Sequence, residues 1–372
     1  MNFTLHSRRS SLPSILKIPF FLALLAFGAR DACAQGCIAI RNNPGTPLME
    51  GDFSSGIDTG QWVGAVAYRW FKSDRHFTGD DEHPERHTLG NYVQNDVHSV
   101  DFSATRGLNS RWSLTFDVPF IYADRSSLYE HDLVHRHSMH SQGLGDVRVL
   151  SDVWLWDPKQ SKNGNIALGF GLKLPTGKDD ATATSYRATG SVQRPVDPSI
   201  QPGDGGWGII VQMQAYRKLY TNLVGYLSAS YMVTPQEQSD TELTIADVPA
   251  FAAFITKEIR HNTIADQYSA RGGLSYMVAP AHGLSVSLGG RIEGIPAHDR
   301  FGGSMGFRRP GYTVSIEPGF SWSTGKSTLG LNVPIALYRN RIRSAPEEYL
   351  GRPGGDSAFA DYSILLNFSH AF

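Results

Sequence analysis

Histidines and serines cluster between residues 131 and 143, and these residue types could support nucleophilic catalysis. Imidazole activates a serine hydroxyl when the two side chains lie within hydrogen-bonding distance. On a β-strand, however, consecutive side chains point to opposite faces, so a histidine cannot reach the serine that directly follows it. His137 is followed directly by Ser138, and His140 by Ser141. We therefore assign no catalytic residue to this segment.

The same segment contains enough imidazoles to suggest a transition-metal site, because loop histidines can converge on one ion. No cysteine accompanies them, and their spacing matches no fixed metal-binding motif. We predict a solvated loop without a metal or cofactor, in which protonation near neutral pH could change the conformation. The histidines concerned are His131, His135, His137 and His140.

Two further strings resemble catalytic motifs but lack their structural context. The segment 302–306, Gly-Gly-Ser-Met-Gly, has the spacing of a nucleophile elbow, which functions only between a strand and a helix of an α/β sheet. The segment 325–327, Gly-Lys-Ser, resembles the end of a phosphate-binding loop, but Phe320 occupies the position of the required glycine. We interpret both strings as turns, and we predict that the chain is not an enzyme.

The composition indicates which secondary structure would position these residues. The chain has 372 residues with 38 glycines, 11 % aromatic residues and only 19 % charged residues. Long segments with helical periodicity and a helix-forming composition are missing. These features favour an all-β protein with many turns.

The first 34 residues have the parts of a cleaved export signal. A basic start with Arg8 and Arg9 precedes an apolar run over 18–29, which is too short to span a bilayer as a helix. The segment 32–34, Ala-Cys-Ala, then forms an A-x-A cleavage site. We therefore expect an exported protein whose mature chain begins at residue 35.

Charge and cysteine content restrict the function of the mature chain. Cleavage removes four of the 34 basic residues and one of the 35 acidic residues, leaving 30 against 34, a net charge of −4. This balance does not suit a nucleic-acid-binding protein. Cys37 is the only cysteine left, so no internal disulfide can form, and Gln35 disfavours a lipoprotein anchor at Cys37. A closed hydrogen-bonded barrel could stabilise such a chain instead.

Segments of alternating polarity recur along the mature chain, and no apolar run long enough for a membrane helix follows the signal. The clearest is 111–122, where Trp112 and Phe116 share an apolar face while Ser113 and Asp117 share a polar one. The pattern predicts strands at 61–72, 95–106, 111–122, 145–157, 164–175, 207–218, 221–233, 267–278, 284–295, 311–323, 327–338 and 361–372.

The connections between these segments alternate between long and short. Long polar stretches such as 73–94, 123–144 and 176–206 are separated by tight turns such as 107–109. A soluble β-sandwich has no reason for this alternation, whereas outer-membrane barrels have long external loops and short periplasmic turns. We therefore predict a transmembrane antiparallel β-barrel of about twelve strands. Only the segment 248–259 leaves the strand count open, because it could add a hairpin arm.

The C-terminal segment supports the same prediction. Tyr362, Leu366 and Phe372 share one face of the last predicted strand, and His370 interrupts this apolar stripe. The segment resembles the terminal strand by which the barrel-assembly machinery recognises outer-membrane proteins. An exposed apolar edge strand would promote aggregation in a soluble protein. We therefore expect location in a Gram-negative outer membrane, with its lipid and the assembly machinery as partners.

Charged residues recur on the polar faces of the predicted strands. Charges are too costly in lipid, so these faces are assigned to the barrel interior. The two signs are mixed, which allows either a hydrated path for a small solute or a paired network that closes the barrel. The lumen and transport candidates are Asp101, Asp117, Asp146, Arg148, Lys173, Arg271, Arg291, Glu293 and Glu317.

Four segments in order resemble the MetA-pathway phenol-degradation family of outer-membrane proteins. Residues 143–146, Gly-Leu-Gly-Asp, and 172–177, Leu-Lys-Leu-Pro-Thr-Gly, look like the paired signature of that family. Residues 105–114 resemble its preceding turn and strand, and 203–207, Gly-Asp-Gly-Gly-Trp, its following strand entry. The resemblance covers roughly 95–340 and implies a loose association with uptake of aromatic compounds. The histidine-rich loop and the segment 234–266 depart from the family pattern, so no substrate is carried across.

These observations predict three regions and three possible functions. The regions are a signal peptide over 1–34, a periplasmic segment over 35–60 that could plug the barrel, and an outer-membrane barrel over 61–372. The favoured function is a passive channel for small molecules, aromatic or otherwise hydrophobic. The alternatives are a closed structural or adhesive barrel that displays its loops, and a lipid-modifying enzyme. Single-channel conductance would separate the first function from the others.

Overall fold

The computed structural model describes residues 56–252, 255–256 and 259–372. The predicted signal peptide and most of the segment 35–60 therefore lie outside the described residues. Twelve antiparallel strands pair with their neighbours in chain order, and the last pairs with the first, so the sheet closes into a barrel. This confirms the predicted all-β barrel. Within the described ranges, no helix is long and apolar enough to cross a membrane.

Each of the twelve predicted segments forms a barrel strand, because alternating polarity gives every strand one face for lipid and one for the interior. β4 and β11 are each interrupted and consist of two parts. The strands are β1 (Trp62–Thr78), β2 (Gln94–Gly107), β3 (Trp112–Ser127), β4 (His137–Leu144 and Arg148–Trp154), β5 (Gly164–Lys173), β6 (Gly208–Tyr220), β7 (Leu223–Val233), β8 (Gln267–Ala279), β9 (Leu284–Ile295), β10 (Gly311–Thr324), β11 (Ser327–Asn332 and Ile335–Asn340) and β12 (Ser357–Ala371).

We call the end of the barrel that carries the long connections the long-loop rim. At this end the strands are longer than the sequence pattern predicts. β3 continues to Ser127, and the first part of β4, His137–Leu144, pairs with it along its whole length. The sequence analysis wrongly placed this part of β4 in a loop. Its outward residues before Leu144 are polar, as in the pair of His140 with Asp124, so the apolar outer face that marks the lipid-facing strands is missing there. The opposite end is the short-turn rim.

The long loops contain secondary structure of their own. The segment 248–259, considered as an extra arm, contains a 3-10 turn where it is described, and the barrel keeps its twelve strands. The strings 302–306 and 325–327 lie in a loop and in a tight turn, as predicted. The minor elements are the strand Asp81–Glu82, α1 (Glu85–Thr88), the hairpin Thr182–Arg187 with Gly190–Pro195, the ribbon Gln238–Glu242 with His261–Thr263, the 3-10 turns Pro249–Phe251 and Pro280–His282, and α2 (Ala345–Tyr349).

Exposed aromatic rings form two belts around the outer face of the barrel. Tyrosine and tryptophan prefer the two interfaces of a membrane, and the side chains between the belts are apolar. On β3, Trp112 and Tyr122 belong to opposite belts, and the ten residue steps from one to the other span about 25 Å of a tilted strand, the thickness of an apolar band. The belt at the short-turn rim includes Trp62, Trp112, Trp156, Tyr276 and Trp322, and the other includes Tyr122, Trp207, Tyr338 and Tyr362.

The C-terminal strand closes the barrel against β1 and ends in an outward ring. The backbone N–H of Phe372 donates to the carbonyl of Trp62 at 2.8 Å, while the Phe372 side chain is 70 % exposed. His370, which interrupts the apolar stripe, packs edge-on against Phe372 with 4.9 Å between ring centroids. The terminal ring therefore contributes little to the interior, which leaves it available for recognition during assembly.

Deletion of Phe372 is expected to lower the amount of folded barrel in the outer membrane. The reason is that the chain would lose the terminal aromatic residue that the assembly machinery is expected to recognise. The measurement is the fraction of protein in membrane fractions that shifts on a gel after boiling. Phe301→Ala, at an exposed ring in a long loop, is the control and should assemble normally. Equal amounts of folded barrel for the deletion and the control would contradict the expectation.

Candidate functional site

The nine charged residues that sequence analysis assigned to the interior lie on the inner wall of the barrel and are largely buried. Their neighbours along the strands point outward, as shown by Phe102 and Phe116, which are 52 % and 51 % exposed. All nine take part in ion pairs, and we call this ring of paired side chains the charged belt. The structure thus places them inside the barrel, and their role in transport remains a prediction.

Arg148 of β4 organises one part of the charged belt. Its Nε donates to Asp117 at 2.7 Å, and its Nη2 lies 3.2 Å from a carboxylate oxygen of Asp101. Asp152, four residues further along β4, accepts a hydrogen bond of 2.7 Å from the Gln212 amide. Sequence analysis missed Asp152, although it lies on the inward face of a predicted strand. This part of the charged belt is therefore filled by mutually bonded side chains.

Glu317 of β10 organises the opposite part of the charged belt. Arg271 donates to its carboxylate at 3.1 Å, and Arg291 binds the same carboxylate through Nε and Nη2. Arg291 also lies 3.6 Å from Glu293, which pairs with Arg69 of β1 at 2.6 Å. Because β1 and β9 are not neighbours in the sheet, the pair of Arg69 and Glu293 crosses part of the lumen. Sequence analysis missed Arg69, a charged residue within the first predicted strand.

The loop between β5 and β6 folds into the barrel. Its residues 196–204, here the inner segment, include Val196 and Ile200, which are both 0 % exposed. These side chains pack in one cluster with Phe71 and other inward residues of the barrel wall. Sequence analysis treated the whole stretch 176–206 as an external loop, which is wrong for this part. Loops without alternation carry no local signal for such a path.

Asp146 fixes one end of the inner segment. Its carboxylate accepts hydrogen bonds from the backbone N–H groups of Gly177, at 2.9 Å, and Asp204, at 3.2 Å. Lys173 lies 3.3 Å from the same carboxylate and also binds Asp204. The segments 143–146, 172–177 and 203–207, singled out in the sequence, therefore meet at one anchor. Their shared role in this structure is to hold the inner segment against the wall.

Glycines allow three backbone segments to cross at this anchor. A Cβ atom on Gly203 would lie 2.5 Å from the carbonyl carbon of Gly177, and one on Gly177 would lie 2.7 Å from that of Gly145. Backbone atoms cannot rotate away as the end of a flexible side chain can. Any larger residue at these positions would push the segments apart.

The variant Gly203→Ala is expected to destabilise the barrel by about 1–3 kcal/mol, the usual cost of inserting a methyl group where no space exists. Urea unfolding in lipid vesicles, followed by tryptophan fluorescence, would measure this loss. Gly290→Ala is the matched control, because its added Cβ would approach only the Ser315 carbonyl oxygen, at 3.8 Å. If both variants unfold at the same urea concentration, the three segments are not tightly crossed at Gly203.

Buried ion pairs hold the other end of the inner segment. Asp197 binds the guanidinium of Arg309 from the loop before β10, and it lies 3.6 Å from Arg125 of β3. Arg125 also pairs with Glu130 at 2.7 Å. Burial by itself would raise the pKa of Asp197, but Arg125 and Arg309 outweigh it and hold the pKa of this carboxyl well below its usual range. Asp197 is therefore ionised near neutral pH.

Two cavities flank the inner segment. The inner cavity has a volume of about 60 Å³ and is lined by Lys173 of the charged belt and by Arg69, which pairs with that belt. The outer cavity has a volume of about 90 Å³ and is lined by Arg309. Ser199 and Asp204 of the inner segment line both cavities. Each has room for a few water molecules but is smaller than the roughly 150 Å³ that accommodates benzene in a protein core. The inner segment therefore lies between two cavities, neither of which is large enough for a solute of the size of benzene.

Histidines of the 131–143 segment gather around a tyrosine of the next loop. The His137 ring stacks on Tyr186 with 4.3 Å between centroids, and the His131 ring lies 5.0 Å from that of His137. Burial, followed by the nearby His137 and Arg187, lowers the pKa of His131 to about 4. His131 is therefore neutral near pH 7 and cannot be the neutral-pH switch considered above. Among the described residues, no group of three His, Cys, Asp or Glu side chains could hold a metal ion.

Ser138 and His140 lie two residues apart on the outward face of β4, an arrangement that the sequence argument about adjacent residues overlooked. The imidazole Nδ1 of His140 pairs with Asp124 on β3. No hydrogen bond joins Ser138 to His140 in this described part of the strand. The arrangement is thus an ion pair on the outer surface, without the contact that would activate a serine.

Comparisons with known proteins identify the fold of this chain through its structure and not through its sequence. No family model and no curated protein matches the sequence. An outer-membrane channel from Pseudomonas putida F1 has a similar structure, with 13 % identity and a TM-score of 0.55 over 89 % of this chain and 100 % of that one. A FadL homologue of Pseudomonas aeruginosa matches with 8 % identity and a TM-score of 0.40 over 91 % and 99 %. The first likeness establishes that this chain has the fold of an outer-membrane β-barrel.

Proposed function

We propose that this protein is a passive channel for small molecules in a Gram-negative outer membrane. The observation that carries the proposal is that a loop segment, rather than the barrel wall itself, fills the middle of the closed barrel. Within the described residues, this single segment lies between two of the interior cavities. An interior arranged in this way becomes continuous if that segment moves. The aromatic belts and the apolar band between them support location in a membrane.

The anchor of the inner segment also supports the resemblance to the MetA-pathway phenol-degradation family. Three of the four resembling segments, 143–146, 172–177 and 203–207, are separate in sequence but converge on Asp146. Proteins that share this anchor are expected to share all of the segments that form it. We therefore propose membership of that family or of a related family of outer-membrane channels. The likeness to the Pseudomonas putida F1 channel is consistent with this proposal.

Electrical recording tests the channel function. Purified mature protein in planar bilayers is expected to show discrete conductance steps. Deletion of residues 35–55 should raise the conductance if that segment plugs the periplasmic side, while the gel shift on boiling stays intact. If both forms are electrically silent and release no entrapped small solute from vesicles, the channel proposal fails.

Neutralising an arginine of the charged belt is expected to shift ion selectivity toward cations. Arg271→Gln and Arg291→Gln each remove a positive charge from the lumen and leave Glu317 less compensated. The shift should be modest, because opposite charges at close range cancel much of each other's field. Reversal potentials in a potassium chloride gradient measure it. Lys162→Gln, at an exposed residue of a short turn, is the control and should leave the reversal potential unchanged.

A closed structural or adhesive barrel is the second candidate. The pairing of all nine predicted lumen charges favours it, because a paired network fills space and resists ion entry. Under this alternative, the intact and truncated proteins would both be folded, inserted and electrically silent. The same recordings therefore decide between the two candidates.

A further inference from the structure

Four inward side chains of β1, β2, β3 and β4 form an apolar patch inside the barrel, which we call the apolar seat. Phe71 lies opposite Val97, and Val97 opposite Ala123, so these three are side by side on neighbouring strands, and Met139 joins them. The lumen of membrane barrels is usually polar. In an open, water-filled channel the apolar seat would be costly unless an apolar group covered it.

The inner segment covers the apolar seat with aliphatic side chains. Val196 and Ile200 are both 0 % exposed, and Ala181 of the same loop packs beside them. The Ser141 hydroxyl, next to the seat on β4, donates a hydrogen bond to the carbonyl oxygen of Ile200. The occupant of the seat therefore combines a small apolar body with one hydrogen-bond acceptor.

The charges that border the apolar seat are already compensated. Arg125 pairs with Glu130 at 2.7 Å, and neither residue belongs to the inner segment, so this pair stays in place when the inner segment leaves. An anion would meet the buried carboxylate of Glu130, and a cation would compete with Arg125 for it. Either would bring an unpaired charge into a buried position, which is strongly unfavourable. The borders of the seat therefore select an uncharged occupant.

We propose that the apolar seat is the solute-binding site of the channel, specific for a small uncharged molecule with an apolar body and one hydrogen-bond acceptor. The inner segment occupies this site as a built-in competitor, and the solute displaces it. This inference rests on the proposed channel function. The glycine crossing fixes one end of the inner segment, so displacement proceeds from the other end, where Asp197 binds Arg309. A solute that binds only the vacated seat shifts the population toward the displaced state.

Thiol labelling measures the displacement without requiring conduction. Ile200→Cys is made in a Cys37→Ser background, so the mature chain has one cysteine, buried in the apolar seat. The purified full mature chain in lipid vesicles is treated with a water-soluble maleimide at pH 7. Benzyl alcohol, an uncharged ring with one oxygen acceptor, is expected to accelerate labelling about tenfold. Glycerol and benzoate at the same concentration should leave the rate nearly unchanged.

Two variants separate displacement from general loosening of the membrane by benzyl alcohol. Leu133→Cys, at the tip of a long loop, should be labelled at the same rapid rate with every solute. Val97→Ser in the Ile200→Cys chain makes the seat polar, so labelling should be faster without solute and should lose its response to benzyl alcohol. A gel shift on boiling for each variant confirms that the barrel is folded.

The outcomes distinguish this inference from the channel function itself. Labelling of Ile200→Cys that is insensitive to benzyl alcohol, or equally sensitive to glycerol or benzoate, overturns the inference whether or not the protein conducts. A response that persists in the Val97→Ser chain also overturns it, because the seat would then not be the binding site. Selective acceleration in a protein that is electrically silent would keep the binding site and reject the channel.

Discussion

The variant Glu317→Gln is expected to lose about 3–5 kcal/mol of unfolding free energy, the usual cost of removing one partner from a buried ion pair. The Glu317 side chain is only 1 % exposed, and its carboxylate binds both Arg271 and Arg291. A neutral amide would leave these guanidinium groups without their shared counter-charge inside the barrel. Arg291 would keep only its longer contact of 3.6 Å with Glu293. The loss should therefore exceed that of an ordinary polar substitution.

Urea unfolding of the reconstituted barrel measures this change, with the gel shift on boiling as a second readout. Glu242→Gln is the matched control, because Glu242 pairs with Arg260 at 2.9 Å but both side chains are more than one-third exposed. Exposed ion pairs contribute little to stability, so this variant should unfold close to the unmodified protein. If the two variants are equally stable, Glu317 is not the organising residue of its part of the charged belt.

The variant Phe116→Arg is expected to lose about 2–4 kcal/mol, because it places a charge on the lipid-facing side near the middle of the bilayer. Phe116 is 51 % exposed on β3, roughly midway between Trp112 and Tyr122, which belong to the two aromatic belts. An arginine there cannot reach water at either interface without distorting the strand or thinning the membrane.

Ser113→Arg provides the comparison on the inward face of the same strand. Ser113 lies directly opposite Asp152 of β4, so a new guanidinium at this position has a carboxylate to pair with. This variant should be clearly milder than Phe116→Arg in the same unfolding experiment. Equal losses would mean that the inner and outer faces of β3 have been exchanged.

Local pattern was enough to predict the barrel wall. In each strand, alternate residues must face lipid and interior, so the preference of each side chain for one environment appears as a period of two. Phe116 and Asp117 show the principle, because they are adjacent in sequence and lie on opposite faces. The prediction was less successful above the membrane, because the outward side chains of β4 between residues 137 and 143 are polar, and the apolar outer face that reveals a lipid-facing strand is missing there.

The sequence identified nine charged residues of the interior but not which of them pair with each other. Glu317 and Glu293 were placed inside because lipid excludes charge, a property of each residue alone. Pairing depends on strand order, register and the diameter of the closed barrel, which bring Arg69 within 2.6 Å of Glu293 although 224 residues separate them in the chain. Asp204 was missed because it lies in a loop, where no alternation indicates which way a side chain points.

The sequence by itself determined a closed membrane barrel with a charged interior, because both features follow from the environment that each residue prefers. Only the tertiary structure decided that residues 196–204 enter the lumen and separate two cavities. This path depends on contacts between distant segments: the glycine crossing of 145, 177 and 203, and the pairing of Asp197 with Arg309 across 112 residues. Such contacts join residues that are far apart in the chain, so no local pattern in the sequence records them.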